Sequence, residues 1–188
     1  MGDGSGDRRV TRWDLGPDSG ELLLHTGVTG SASRMGHRLT IAMRSWHATV
    51  EWDGDTPSAV EVTVDLDSLD VLRGEGGMTP LSGPEKVLIR SNALKTLRAK
   101  KSPQAVFRSG EIVRTADTYR INGTLEIAGH SGAQSVEVRA EADGDVWRIT
   151  GEAVVRHTDI GVKQFSMLMG AMKVADEVGV SLTVAHPA

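Results

Sequence analysis

Much of this chain alternates apolar and polar residues with a period of two, and few folds accept that pattern. Successive side chains of a strand point to opposite faces, so such a run has one dry face and one wet face. Val60, Val62, Val64 and Leu66 alternate with Glu61, Thr63, Asp65 and Asp67. Tyr119, Ile121, Leu125 and Ile127 alternate with Arg120, Asn122, Thr124 and Glu126, and Val136, Val138, Ala140 and Ala142 with Ser135, Glu137, Arg139 and Glu141. Trp147, Ile149, Ala153 and Val155 share one parity, as do Val178, Val180, Leu182 and Val184. Turn signals at Asp53-Gly54-Asp55, Gly129 to Gly132 and Asp143-Gly144-Asp145 separate these runs. Strands are expected near 21–29, 38–44, 46–52, 58–66, 105–113, 118–128, 134–142, 146–156 and 177–185. Close spacing of this kind favours an antiparallel barrel or sandwich over βαβ units. The expected fold is all-β, an antiparallel β-barrel of about eight strands formed by one domain over 20–188, after an N-terminal arm over 1–19. Trp13 and Leu15 of that arm are apolar enough to fold back onto the barrel.

Residues 39–52 break phase. Leu39, Ile41 and Met43 sit at odd positions, whereas Trp46, Ala48, Val50 and Trp52 sit at even ones. A regular strand would put Ile41 and Trp46 on opposite faces, so the slip at Arg44–Ser45 predicts a bulge or corner. Two strands joined by a tight turn would give the same pattern. Ser82-Gly-Pro-Glu85 is a capping box with proline in the first turn. It opens a helix expected over 83–98, with Val87, Leu94 and Leu97 along one side, placed to cover a barrel opening. A short helical turn is expected at Gln164–Met172.

Composition removes several functions. A net charge of -4 disfavours nucleic acid, whose binding is driven by phosphate neutralisation on a basic surface. With no cysteine there is no disulfide framework and no thiolate nucleophile or ligand. No signal peptide is expected from the polar start, and no stretch reaches the ~18 apolar residues of a membrane span. A cytoplasmic location is expected for the chain as it stands, or a secreted one if a leader has been removed.

Motifs that suggest chemistry do not hold up. Gly129-His130-Ser131-Gly132 falls short of the five-residue nucleophile elbow and reads as a hairpin turn. Gly74-Glu-Gly76-Gly77 lacks the third glycine and following helix of a dinucleotide fingerprint. Asp65-x-Asp67-x-x-Asp70 has Asp70 and Gly76 where a calcium loop needs Gly and Glu, and reads as the wet face of a strand entering a turn. The six histidines form no i, i+4 pair, so no metal is expected. Lys86, Arg90, Lys95, Arg98, Lys100 and Lys101 read either as a solvated face or as a contact for an anionic headgroup or membrane.

Several segments, in order, resemble the YceI-like family. Lys101-Ser-Pro103-Gln-Ala-Val-Phe107-Arg-Ser109, then Ile121-Asn-Gly123-Thr-Leu125-Glu-Ile127-Ala-Gly129, match its paired strand motifs. Val60–Leu69, Arg156-His-Thr-Asp159-Ile-Gly161-Val162 and Asp176-Glu177-Val178 match further ones, as do Thr26–Gly30 and Gly36–Leu39. Ile160 stands where the family has Phe, and one extra residue separates Arg156 from Asp159. The resemblance implies a lipocalin-like barrel with an elongated cavity for polyisoprenoid or quinone-type lipids.

The residues agree in kind, because small inward positions (Gly123, Ala140, Ala142, Gly151, Ala153) and few aromatics leave interior volume. The expected ligand-binding residues are Ile41, Trp46, Val62, Phe107, Leu125, Ile149 and Val180, with Phe165, Met167, Leu168, Met169 and Met172 at one end. Those methionines either adapt to an irregular guest or fill core. The expected function is non-catalytic binding, transport or sequestration of a long apolar lipid, with no cofactor beyond that lipid, no integral membrane segment, and a homodimer allowed. The alternatives are an enzyme acting on such a lipid, using His37, His157 and Asp159, and a filled-barrel interaction module. Ala153→Trp or Gly123→Leu is expected to block uptake at about 1–3 kcal/mol in stability.

Overall fold

The computed structural model describes residues 10–188. Its strands, in chain order, are β1 (Val10–Leu15), β2 (Gly20–His25), β3 (Val28–Thr29), β4 (His37–Met43), β5 (Trp46–Asp53), β6 (Thr56–Asp65) and β7 (Leu69–Gly76). A helix, α1 (Gly83–Thr96), separates these from β8 (Gln104–Thr115), β9 (Thr118–Ile127), β10 (His130–Asp143), β11 (Val146–Arg156), β12 (Ser166–Met167), β13 (Met172–Val174) and β14 (Glu177–Pro187).

Eleven strands form one antiparallel sheet in the order β1-β5-β6-β8-β9-β10-β11-β14-β2-β4-β7. The sheet closes through chain continuity at its ends. β4 runs into β5, and their partners β7 and β6 are likewise joined through a short 3₁₀ turn at Leu66–Ser68. β1 and β2 line up along the other side of β5 and β4. Counted as long bent strands, β1/β2, β4/β5 and β6/β7 join β8, β9, β10, β11 and β14 in a ring of eight, the number expected. The inward parities are those of the alternating runs; β11, for example, exposes every other residue from Val146 to Arg156.

The phase slip is real. Arg44 and Ser45 belong to neither strand, and Ile41 and Trp46, of opposite parity, are both buried. The corner here turns β4/β5 so that both odd residues before it and even residues after it reach the interior.

Several expectations need correction. The supposed arm contains β1, with Leu15 buried and Trp13 stacked 4.2 Å from His186 at 13°; residues 1–9 of that arm lie outside the described residues. Segment 21–29 divides into β2 and β3, because β3 leaves the barrel to join β12 and β13 in a small second sheet. Of the helical turn expected over 164–172 only a 3₁₀ turn at Leu168–Gly170 forms, between two strands of that sheet. β7 is a strand where none is expected between 66 and 105, since Asp70, Arg73, Gly74 and Gly76 mask its alternation.

The helix carries its capping box: the Glu85 amide donates to Ser82 Oγ at 3.3 Å and the Ser82 amide to Glu85 Oε2 at 2.7 Å. It stops at Thr96, two residues early, and Arg98 then takes a left-handed φ of 53°. Leu94 packs on the main core as expected, together with Ile89 and Ala93, whereas Val87 is exposed, so the buried side is turned from the expected one. α1 also serves β7, the outer strand of the sheet. Lys86 Nζ donates to the Leu72 carbonyl at 2.9 Å and Arg90 Nε to the Leu69 carbonyl at 3.0 Å. Those side chains satisfy carbonyls that an open edge would leave to water or to another chain.

Candidate functional site

The barrel interior is the natural place to look, because the rows of inward residues meet there. Ladder pairing sets Val62 beside Phe107 and Phe107 beside Leu125, one row across β6, β8 and β9. A second row joins Ile41, Leu24, Val180 and Ala153 across β4, β2, β14 and β11. Trp46 pairs with Val64, and Ile149 with Val184. Ile41, Trp46 and Phe107 are buried; Val62, Leu125, Ile149 and Val180 are only partly so.

The buried core is split. A large cluster around Leu22, Ile41, Met43, Trp46 and Val184 occupies one part of the barrel. A smaller one, Ala128, Ile160 and Val162, packs with Leu125, Ile127 and Val155 at another. Inward aliphatic residues such as Val136, Val138, Val155, Val178 and Leu182 remain partly accessible, although they lie inside a closed ring. In a barrel filled to normal density they would be covered.

The wall has a seam. Pairing of β10 with β11 ends at Glu137 and Glu152. Beyond that point Gln134 Nε2 bridges the gap, donating to the Val154 carbonyl at 2.9 Å and to the Ser135 carbonyl at 2.9 Å. A groove of about 500 Å³ opens over this seam. Its lining includes Ala153 and Val180, both on inward parity, together with outward Ser135, Glu137, Glu152 and His25. A second cleft, of about 390 Å³, lies at the end of the barrel between the C-terminal end of α1 and Gly161–Ser166. Val162 and Phe165 supply its apolar lining, and Lys95, Arg98, Lys163 and His130 its polar rim. Sequence reasoning found neither opening, because each depends on where neighbouring strands part rather than on any local pattern.

The 165–172 segment is divided. Phe165 lines the end cleft and Met172 is half-buried, but Met167, Leu168 and Met169 face solvent. Leu168 and Met169 hold left-handed φ values of 51° and 56° in the tight 3₁₀ turn, which carries them away from the interior. Gly123 also needs correction as a filling position. A Cβ there would meet the Arg108 carbonyl oxygen at 2.2 Å, because β8 bulges past it between Ser109 and Glu111. Gly151 is different: its Cβ would make ordinary contacts at 3.6 Å with Leu182 and 3.8 Å with Val138.

The groups weighed for catalysis do not converge on the interior. His37 Nε2 bonds with the Thr79 carbonyl at 2.8 Å, and His157 Nδ1 with the Asp176 carbonyl at 2.8 Å. Asp159 is exposed. The Asp176 carboxylate is held below the ordinary aspartate range by the Thr158 hydroxyl at 2.7 Å and amide at 2.9 Å, a loop-fixing arrangement. Gly129-His130-Ser131-Gly132 opens β10 after a tight turn, with Ala128 and Gly129 at φ 55° and 79°. Among the described residues no three His, Asp or Glu side chains gather as a metal site would require. No described helix is long and apolar enough to cross a membrane.

Comparison with known proteins places this geometry. The Burkholderia cenocepacia BcnA structure superposes with a TM-score of 0.66 at 18% identity, over 89% of this chain and 96% of that one. A Campylobacter jejuni YceI protein, which crystallises with large solvent channels, superposes with a TM-score of 0.58 at 15% identity, over 79% of this chain and 84% of that one. At such identities the likeness is one of fold. No curated protein matches the sequence. The model of the YceI-like domain matches residues 22–186, from β2 to the end of β14. The chain therefore belongs to the YceI-like family.

Proposed function

We propose that this protein binds one long apolar lipid, of polyisoprenoid or quinone type, inside the barrel, as a non-catalytic carrier or sequestering protein. The observation that carries the reading is the incomplete burial of Val62, Ile149, Val180 and Leu182 within a closed ring of strands. Covering that surface with an apolar chain would contribute roughly 25 cal/mol per Å². A chain-like guest suits an interior walled by aliphatic rows with few polar groups, since polar contacts fix orientation while apolar area supplies affinity. The groove over the seam touches Ala153 and Val180 of those rows from outside, which supports entry of a chain at that point.

A quinone-headed isoprenoid tests this through Trp46 and Trp147, whose positions share the inward parities of β5 and β11. Titration should quench tryptophan emission saturably at about one ligand per chain. Quenching that rises linearly, without saturation, would contradict the reading.

A further inference from the structure

The end of the barrel that carries the small β3-β13-β12 sheet has a surface unlike the rest. Met167 and Leu168 are about half exposed, Met169 is fully exposed, and Met35 lies half exposed on the neighbouring 3₁₀ turn at Ser33–Met35. The two turns are tied together: the Ala32 amide donates to the Ala171 carbonyl at 2.9 Å. Leu168 and Met169 occupy a sparsely populated backbone region without gaining burial from it, a pattern that points to a use outside the fold.

Charge at this end is equally one-sided. Stretches 26–36, 93–104 and 161–175 carry seven of the chain's 21 Lys and Arg residues and none of its 25 Asp and Glu, and of the acids flanking the third stretch Glu177 is paired with Arg156 and Asp176 is bonded to Thr158, leaving Asp159 exposed. They are brought together by the Ala175 amide donating to the Gly27 carbonyl at 2.9 Å, and by the cleft that Lys95, Arg98 and Lys163 share. On the barrel wall the arginines pair with acids, as in Arg108 with Glu61 at 2.9 Å and Arg120 with Glu137 at 2.6 Å. Among the described residues no carboxylate lies within ion-pair distance of Arg34, Lys95, Arg98, Lys163 or Lys173. Lys173 sits beside the tip itself, its Cε 3.7 Å from where a Cβ on Gly170 would be.

We infer that this end docks on an anionic lipid bilayer, with Met35 and Met167–Met169 entering the headgroup–acyl boundary and the surrounding cations lying among the lipid phosphates. Exposed apolar side chains beside cations that no carboxylate pairs are what such a surface selects, because it attracts positive charge and receives small apolar wedges. A protein of net charge -4 gains that attraction only by gathering cations at one end. The inference goes beyond lipid binding in the interior and does not depend on it.

Co-sedimentation of the full chain with vesicles separates the outcomes. Vesicles of phosphatidylcholine with about 30% phosphatidylglycerol should bind the protein, and pure phosphatidylcholine should bind it at least about tenfold more weakly. Salt at about 0.5 M should release most of it. Leu168→Asp with Met169→Asp should abolish binding, and Lys163→Glu with Lys173→Glu should weaken it at least about tenfold. Val146→Asp, on the β10–β11 hairpin at the opposite end, should bind as the parent does. Should the Asp pair fold poorly, Met169→Trp substitutes for it, and its emission should shift to the blue on the anionic vesicles alone. Equal binding to both vesicle types, binding to neither, or a tip-charge variant that binds like the parent overturns the inference. So does tip-dependent self-association in sedimentation velocity without vesicle binding.

Discussion

Ser45 Oγ donates a 2.5 Å hydrogen bond to Asp65 Oδ2, and this bond fastens the two bends of the barrel to each other. Ser45 lies in the break between β4 and β5, and Asp65 is the last residue of β6 before the turn into β7. The Asp65 amide donates back to the Ser45 carbonyl at 3.0 Å, and Gln104 Nε2 donates to Asp65 Oδ1 at 2.9 Å. Three long strands are thereby held at the place where the ring turns its corner.

That clamp gives a pH dependence. The Ser45 hydroxyl, and then the Gln104 amide, hold the Asp65 carboxyl below the ordinary aspartate range. A lowered folded-state pKa contributes stability above the unfolded value, near pH 4, and loses it as pH falls through the folded value. Ser45→Ala should cost about 1 kcal/mol at neutral pH, a modest figure because the pair is only part-buried. The difference should shrink as pH falls through the folded-state value, as read from urea unfolding at neutral and at acid pH.

Two interior glycines should respond oppositely to one methyl group. Gly123→Ala drives a Cβ into the Arg108 carbonyl at 2.2 Å, where only backbone movement can relieve it, and should cost roughly 3 kcal/mol or more. Gly151→Ala meets ordinary contacts only and should stay within about 1 kcal/mol of the parent. Thermal unfolding of the two variants side by side checks the pair, and equal effects would count against the bulge at Gly110.

Helix α1 should be needed to keep β7 from pairing with another molecule. Arg90→Ala removes the donor to the Leu69 carbonyl and the 3.0 Å ion pair with Asp67. The loss should be about 1–2 kcal/mol, and Lys86→Ala with Arg90→Ala should add concentration-dependent association through the uncovered edge. Light scattering against concentration reads the second effect, and a strictly monomeric double variant would contradict it.

The barrel was legible because alternation is a local pattern that closure preserves: the inward parities of β6, β9, β10, β11 and β14 are those of the written sequence. The change of parity between Ile41 and Trp46 likewise marks the corner. β7 was lost because it is an edge strand with charged and glycine positions on its wet side, and β1 because Asp14 and Arg12 hide Trp13 and Leu15 in a polar context. The positions of Met167 to Met169 could not be read from hydrophobicity, since two left-handed residues decide which way a tight turn faces. The openings at the seam and the barrel end come from strand divergence, which leaves no trace in one strand's own pattern.

The most direct test of lipid binding in the interior is native mass spectrometry of the parent and of Ala153→Trp, both confirmed as folded by circular dichroism and both incubated with a long polyprenol. Ala153 faces inward beside Val180 at the seam, so an indole there occupies the space a guest would use, at roughly 1–3 kcal/mol in stability. The parent should carry one lipid mass per chain, removable by organic extraction, and Ala153→Trp should carry none. A parent that stays lipid-free, or an Ala153→Trp variant that loads as fully as the parent, would contradict a ligand-holding barrel.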